Sequence, residues 1–218
     1  MNAVHHPSAA WLLDYATANA PPLFETVIRA HLGACADCRD EITFAENLGG
    51  EFIAAGGSII EGTLTARDIC DRYEQTNDGR TTFSRADEVA LNGNIEQFVA
   101  TYLNSSMDAL PWRRLGGDLE ICRLAKQHNA HMWMLRGQPG MVLPEHTHGG
   151  SELTLVLKGA YFCGSDIFHA GDIEDADEDT EHQPVITRDG ECICLAVTEG
   201  NLRFKKLLPR LVQPFIGI

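Results

Sequence analysis

The sequence predicts an α+β multidomain chain in which a small all-α domain is followed by an all-β domain built as a double-sheet jelly roll. In the first 50 residues apolar side chains recur at helical spacing, whereas from Trp112 onward short β-type runs alternate with glycine-containing turns. The stretch 62–92 between these patterns is polar and contains an Asn-Asp-Gly turn, which is typical of a linker. We therefore expect one domain at 1–105, linker included, and a second at 106–218.

Three amphipathic helices are expected near the N-terminus. Ser8 can cap the first, and Pro21-Pro22 ends that helix and opens the second. The third begins near Asp37, and a further short helix precedes Pro111. The apolar positions that define these helices are Trp11, Leu12 and Tyr15; Leu23, Val27 and Ile28; Ile42, Phe44, Ala45 and Leu48; and Ile95, Phe98, Val99 and Leu103.

The second half of the chain contains repeated strand signals. Its β-type runs lie at 120–124, 131–135, 153–157, 192–197 and 202–207, separated by turns that contain glycine. Short strands at this spacing fit two packed antiparallel sheets, which is the jelly-roll architecture.

Charge excludes several classes of partner. The chain has 17 Lys+Arg against 31 Asp+Glu, a net charge of −14, and residues 1–105 contain no lysine. Nucleic acids and anionic membranes require a cationic surface, so we expect neither as a direct partner. The acidic N-terminal half suits a partner that is itself basic.

The cysteines indicate a reducing compartment. Their number is seven, which is odd, and two of them have metal-ligand spacing, so a disulfide scaffold is disfavoured. Polar residues interrupt any candidate leader in the first 20 positions, and no apolar run reaches membrane-spanning length. We expect a cytoplasmic protein.

One run of the second domain carries metal-ligand chemistry. Residues two apart on a strand point to the same side, so His146 and His148 can reach one centre, and Glu152 follows after a turn. Read from Gly140 to Gly159, the pattern Gly-x5-His-x-His-x3-Glu-x6-Gly resembles the first motif of the cupin family. Zinc, iron, manganese and nickel all accept this ligand set, so the sequence leaves open zinc or another divalent transition metal.

The fourth ligand of this site is expected to be His182, with His169 as the competitor. The second cupin motif is degraded here, since Gly164 is followed by Ala170-Gly171 and His182 comes only after the run 172–181. That run contains seven carboxylates, and we expect it to form a solvated loop.

A second candidate site lies near the N-terminus. His31, Cys35 and Cys38 place one imidazole at the end of a helix and two thiols around the start of the next. Zinc favours tetrahedral Cys2His2 sites, and the missing ligand is expected to be His6, with His5 as the alternative. Bound zinc would hold the short helices together.

The arrangement His-x3-Cys-x2-Cys at a helix junction, with a histidine before the first helix, resembles the zinc-binding anti-sigma domain. Followed by a cupin domain, it resembles the ChrR family over almost the whole chain, including Cys192-Ile-Cys194 and Leu207-Leu208-Pro209-Arg210. The resemblance implies an anti-sigma factor that sequesters an extracytoplasmic-function sigma factor and releases it under singlet oxygen or related oxidative stress.

Two further expectations concern the chemistry of the second domain. Cys192, Cys194, Met132 and Met134 are oxidisable and are candidate sensors, although small thiols on one strand face also serve as core packing. The alternative function is a metal-dependent cupin enzyme, a dioxygenase or isomerase. An enzyme has no evident need for the N-terminal zinc site, so we expect a non-enzymatic regulator.

Overall fold

The computed structural model of the chain describes residues 3–56, 106 and 109–205. Within these residues three helices precede eleven strands. The helices are α1 (Ala9–Ala16), α2 (Pro22–Ala34) and α3 (Ala36–Gly56). The strands are β1 (Arg113–Gly116), β2 (Leu119–Gln127), β3 (Ala130–Gly137), β4 (His146–Thr147), β5 (Glu152–Lys158), β6 (Ala160–Cys163), β7 (Asp166–His169), β8 (Ile173–Ala176), β9 (Val185–Ile186), β10 (Cys192–Glu199) and β11 (Arg203–Phe204).

The predicted fold class is confirmed, because helices form the N-terminal part and antiparallel strands the rest. The predicted β-type runs correspond to β2, β3, β5, β10 and β11. The remaining strands have two to four residues, too few for a periodic signal. The expected linker at 62–92 and the helix at 95–103 lie outside the described residues, so the division at 105 and 106 stays a prediction. Among the described helices, none is long and apolar enough to cross a bilayer.

The strands form two main sheets. A six-stranded sheet has the order β1-β2-β3-β10-β5-β8, and a three-stranded sheet has the order β7-β6-β9. A further pair joins β11 to β4. Neighbouring strands are antiparallel throughout, as the jelly roll requires.

Helix α2 packs directly on one face of the large sheet. Val27 and Ile28 of α2 are fully buried in the same hydrophobic cluster as Leu155 of β5 and Leu195 of β10. The opposite face of the sheet, to which Ala196 belongs, forms a separate apolar cluster. Because both faces of the large sheet are covered, the sequence of β5 is an almost continuous apolar run rather than an alternation of apolar and polar residues.

Gly159, the last residue of the motif that begins at Gly140, occupies a position that requires glycine. It connects β5 to β6 with a φ of +73°, a left-handed conformation that disfavours residues with a Cβ. A Cβ at this position would also lie 2.2 Å from the carbonyl oxygen of Glu191. The turn therefore admits only glycine, and it directs β6 into the second sheet.

Candidate metal centres

The first cluster joins α2 and α3 to the segment before α1. His6 precedes α1, His31 lies in the last turn of α2, Cys35 follows α2 and Cys38 lies in the first turn of α3. Their ligand atoms lie within 4.8 Å of one another. His31 Nε2 is 3.3 Å from Cys38 Sγ, and His6 Nδ1 is 3.3 Å from the sulfur atoms of Cys35 and Cys38. The structure thus brings together the four residues proposed from the sequence, with His6 rather than His5.

The chemistry of this cluster fits zinc. Burial lowers the pKa of His31 to about 4, so its imidazole is neutral at pH 7 and has a free lone pair. Burial and the neighbouring Cys35 raise the pKa of Cys38 well above its ordinary value. Two closely packed thiols in a buried site are stabilised as thiolates when a cation supplies the opposing charge.

A turn of the β-domain fixes the orientation of His31. The Nδ1–H of His31 donates a hydrogen bond of 2.8 Å to the carbonyl oxygen of Gly171, in the turn between β7 and β8. Because Nδ1 carries the proton, Nε2 is left to face the cysteines. Orientation of this N-terminal ligand therefore depends on a residue 140 positions away in sequence.

The residue after Gly171 holds the N-terminal segment in place. One oxygen of the buried Asp172 carboxylate accepts hydrogen bonds from the backbone N–H groups of Val4 and His5, and the other accepts from that of His169. His5 Nδ1 lies 3.3 Å from the same carboxylate. His5 is thus a contact of Asp172, and this contact places the neighbouring His6 at the cluster.

The second cluster lies at one end of the jelly roll. His146 belongs to β4, His148 follows it, Glu152 begins β5, and His182 lies between β8 and β9. Their ligand atoms also lie within 4.8 Å of one another, and the four residues are buried. His146 and His182 pair through their backbones, which sets their Nε2 atoms 3.0 Å apart. The competitor His169 lies at the exposed end of β7, outside the cluster.

Two ligand atoms of this cluster lack a hydrogen bond. His148 Nε2 and Glu152 Oε2 are buried and have no hydrogen-bond partner within the described part of the chain, although they lie 3.5 Å from each other. Leaving buried polar atoms unpaired is costly unless a cation binds them. Burial lowers the pKa of His146 to about 4, which keeps its imidazole neutral and available as a ligand. The residues present therefore fit a divalent metal.

Sequence reasoning missed the residue that orients His182. Glu174 of β8 lies 2.7 Å from His182 Nδ1 and also accepts a 2.5 Å hydrogen bond from the Tyr161 hydroxyl. The acidic run was expected to be a solvated loop, and this prediction is wrong for Asp172 and Glu174, which are buried. β8 has the burial pattern buried, buried, exposed, buried rather than an alternating one, so the sequence of this acidic run does not distinguish Glu174 from its exposed neighbours.

The two clusters share one short segment of chain. Gly171 orients His31 of the first cluster, and Glu174, three residues later, orients His182 of the second. Between them Asp172 and Ile173 hold the backbone of the segment before α1. The residues 171–174, here called the bridging segment, thus contact the surroundings of both candidate sites.

A cavity of about 300 Å³ opens onto the second cluster. Its walls are mostly apolar and include Trp133, Leu135 and Phe204, whereas His146, Glu152, Tyr161, Glu174 and His182 contribute its polar surface. Cys194 also lines the cavity, and its sulfur lies 3.7 Å from that of the buried Cys192. The two thiols share one strand face, as the sequence predicts.

Fold and sites together define a two-part class of protein: a helical Cys2His2 cluster packed against a cupin-type jelly roll with its own His3Glu cluster. A family model described as the ChrR cupin-like domain matches residues 103–202. The anti-sigma-E factor ChrR of Cereibacter sphaeroides is 36% identical over 220 residues, covering 100% of both chains. The crystal structure of Rhodobacter sphaeroides SigE in complex with the anti-sigma ChrR matches with a TM-score of 0.67 and 31% identity, covering 89% of this chain and 98% of that one. The chain belongs to the ChrR family of anti-sigma factors.

Proposed function

We propose that this chain sequesters an extracytoplasmic-function sigma factor through its N-terminal helices, held in shape by zinc at His6, His31, Cys35 and Cys38. The observation that carries the proposal is the cluster itself, which joins α2, α3 and the segment before α1 at one point. The chain is related to an anti-sigma factor over its full length. The relative captured with SigE supports a sigma factor as the partner. Since sigma factors act on RNA polymerase, we place the protein in the cytoplasm.

An exposed face of α3 supports a protein-binding role. Phe44 is 70% exposed and Leu48 is 47% exposed, one helical turn apart. Exposed carboxylates, among them Asp40, Glu41 and Glu46, flank this apolar pair. Exposed apolar residues with an acidic border favour a partner whose complementary surface is apolar and basic. The apolar face of α2 is unavailable for this purpose because the β-domain buries it.

The second cluster is proposed as the sensor that triggers release under oxidative stress. Support comes from the bridging segment, through which a change at His182 can reach the orientation of His31 by way of Glu174 and Gly171. Bound metal would be held by His146, His148, Glu152 and His182, where it would supply Lewis acidity at the cavity. A rearrangement of its ligands would loosen the helices that bind sigma.

The thiols are the second proposed element of sensing. Cys194 lines the cavity, whereas Cys122 is buried in the core beneath the helices. An oxidant that enters the cavity therefore meets Cys194 and not Cys122. We expect Cys194→Ser to delay sigma release after exposure to singlet oxygen, with Cys122→Ser as the matched control. If the Cys194→Ser protein releases sigma at the wild-type rate, Cys192 and Cys194 serve only to pack the core.

A cupin enzyme is the second candidate, and the cavity that opens onto the candidate metal ligands favours it. We propose the regulator because the N-terminal cluster and the full-length relationship account for both halves of the chain. Metal analysis of the purified protein separates the two: two zinc ions per chain support the regulator. Iron or manganese at the second cluster, together with turnover-dependent oxygen uptake, would support the enzyme.

The central test is capture of a sigma factor co-expressed from the same genome. Wild-type chain should retain it on an affinity column and block its transcription in vitro, and Cys35→Ala should do neither. Cys122→Ala, which removes a buried cysteine outside the cluster, is the matched control and should behave as wild type. Undiminished capture by Cys35→Ala would refute the zinc-dependent mechanism.

The docking face is tested separately. Phe44→Ser should weaken sigma capture by at least about tenfold, since it removes a large apolar contact without touching the cluster. Phe162→Ser is the control, because Phe162 is similarly exposed, at 44%, but lies on β6 of the jelly roll. Equal effects of the two substitutions would place the docking face elsewhere.

A further inference from the structure

The cavity beside the second cluster has the properties of a small-molecule site. It measures about 300 Å³, which falls at the lower end of the range for ligand pockets. Leu135, Leu143 and Phe204 are among the side chains that make its walls apolar. Three of the four candidate metal ligands line it, namely His146, Glu152 and His182, so a molecule in the cavity lies next to the metal position.

Size limits the occupant. A cavity of about 150 Å³ with apolar walls holds benzene, so a cavity twice as large accommodates about twice as many heavy atoms, roughly a dozen. Away from the cluster the walls offer the Nε1–H of Trp133, which has no hydrogen-bond partner among the described residues, and little else that is polar. A polyhydroxylated molecule would leave most of its hydroxyl groups unpaired there. The occupant is therefore a compact, mostly apolar molecule with its polar group at one end.

The charged groups around the cavity determine which kind of polar group the bound molecule can carry. No lysine or arginine is among the described residues that line the cavity, so the metal is the cationic group it offers. A divalent ion brings two positive charges, and the carboxylates of Glu152 and Glu174 bring two negative charges. Tyr161 donates to one oxygen of Glu174, and His182 Nδ1 lies 2.7 Å from the other. An anionic ligand would therefore face two acidic side chains, and no lysine or arginine among the described lining residues, inside an apolar cavity.

We propose that this cavity binds a neutral, apolar molecule of roughly a dozen heavy atoms or fewer through a single oxygen donor, of the alcohol or ketone class, placed at the metal. The site would be a ligand-binding site of the β-domain in its own right. This proposal does not depend on whether the chain inhibits a sigma factor.

The test compares two probes of equal chain length on the full-length zinc-loaded protein. Octan-1-ol should bind saturably at one molecule per chain, measured by calorimetry and by a change in tryptophan fluorescence, since Trp133 lines the cavity. Octanoate, which differs in its charged head, should bind at least about tenfold more weakly. Equal or tighter binding of octanoate would overturn the neutral class, and binding of neither probe would overturn the site.

Cavity variants locate the bound molecule. Ala196→Leu adds volume inside the cavity, and Val142→Trp obstructs its mouth, where Val142 is 53% exposed. Each should weaken octan-1-ol binding by at least about fivefold, with thermal melting confirming that the variant is folded. Ile167→Trp is the matched control, since Ile167 is a similarly exposed aliphatic residue of β7 outside the cavity. Unchanged binding in both folded cavity variants would overturn the location.

The dependence on metal is tested without altering the walls. His148 is a candidate ligand but does not line the cavity. His148→Ala should therefore reduce octan-1-ol binding together with the metal content of this site, while the exposed His169→Ala should change neither. Full binding to a folded, metal-depleted His148→Ala protein would overturn the role of the metal in holding the oxygen donor.

Discussion

Each of the two clusters contains four side chains, but the clusters differ in the type of ligand and in their access to a cavity. The N-terminal cluster contains two thiols and two imidazoles, and its contacts within the described residues are between helices and with the Gly171 turn. The cluster of the jelly roll contains three imidazoles and a carboxylate, and a cavity reaches it. A Cys2His2 set suits a structural ion, whereas a His3Glu set that a cavity reaches suits a ligand or an oxidant. Ligand type and access, not ligand number, therefore distinguish the proposed structural cluster from the proposed sensor.

The helices and the jelly roll also contact each other, so a change at one cluster can influence the other. The helices share a hydrophobic core with the large sheet, and the bridging segment at 171–174 reaches the surroundings of both clusters. Neither cluster is isolated from the other, even though the sequence suggests separate domains. Coupling between the clusters is tested by altering one cluster and measuring the properties of the other.

The largest expected effect is that of removing metal. The N-terminal cluster links α2 and α3 to the segment before α1, whereas α2 is also held by its packing on the sheet. A chelator should therefore reduce the helical circular dichroism signal while the strand signal persists. Cys38→Ala should do the same in the presence of zinc, and Cys122→Ala, a buried cysteine outside both clusters, should not. Retention of full helicity in chelated protein would contradict a structural role for the ion.

A smaller effect is expected from Glu174→Gln. This substitution keeps the shape of the side chain but removes the charge that orients His182, so metal affinity of the jelly-roll cluster should fall about 10- to 100-fold. Glu178→Gln, an exposed carboxylate of the same acidic run, is the control. Competition with a zinc indicator measures both affinities. If Glu174 also acts through the bridging segment, sigma release in this variant should be altered while initial sigma capture is retained.

The smallest effect is expected from Asp172→Asn and depends on pH. Burial alone would raise the pKa of Asp172, but hydrogen bonds from the backbone of His169, Val4 and His5 lower it below its ordinary value of about 3.9. A carboxyl group with a depressed folded-state pKa stabilises the fold above the unfolded-state pKa, and that contribution is lost as pH falls through the folded-state pKa. Asp172→Asn should therefore cost about 2 kcal/mol at pH 7, and the difference from wild type should shrink below pH 4.

Denaturant unfolding of both proteins at a series of pH values measures that difference. Excess zinc is present in both series and the zinc content is measured at each pH, because the contact of Asp172 with His5 places His6 at the cluster. Asp175→Asn is the graded control: Asp175 accepts from Ser8 and Trp11 at an exposed position, so its loss should cost less. A pH-independent difference would show that the charge of the Asp172 carboxylate does not contribute to stability.

Much of both candidate sites could be predicted from spacing alone. Ligands such as His146 and His148 lie close in sequence, and strand geometry directs both to one side, so a local pattern identifies them. The same holds for Cys35 and Cys38 around a helix junction. His6 and His182 are distant from the other ligands, and there the sequence offered two alternatives each, between which the fold discriminates.

The sequence by itself determined the order of helices and strands, the acidic character of the N-terminal half and the residue types of both clusters, because these depend on local periodicity and composition. Only the tertiary structure decided that Asp172 and Glu174 are buried partners of a backbone segment and a histidine rather than members of a solvated loop. It also decided that the helices share a core with the sheet and that residues 171–174 connect the two clusters. These features arise from contacts between residues far apart in the chain, which leave no periodic signal in the sequence.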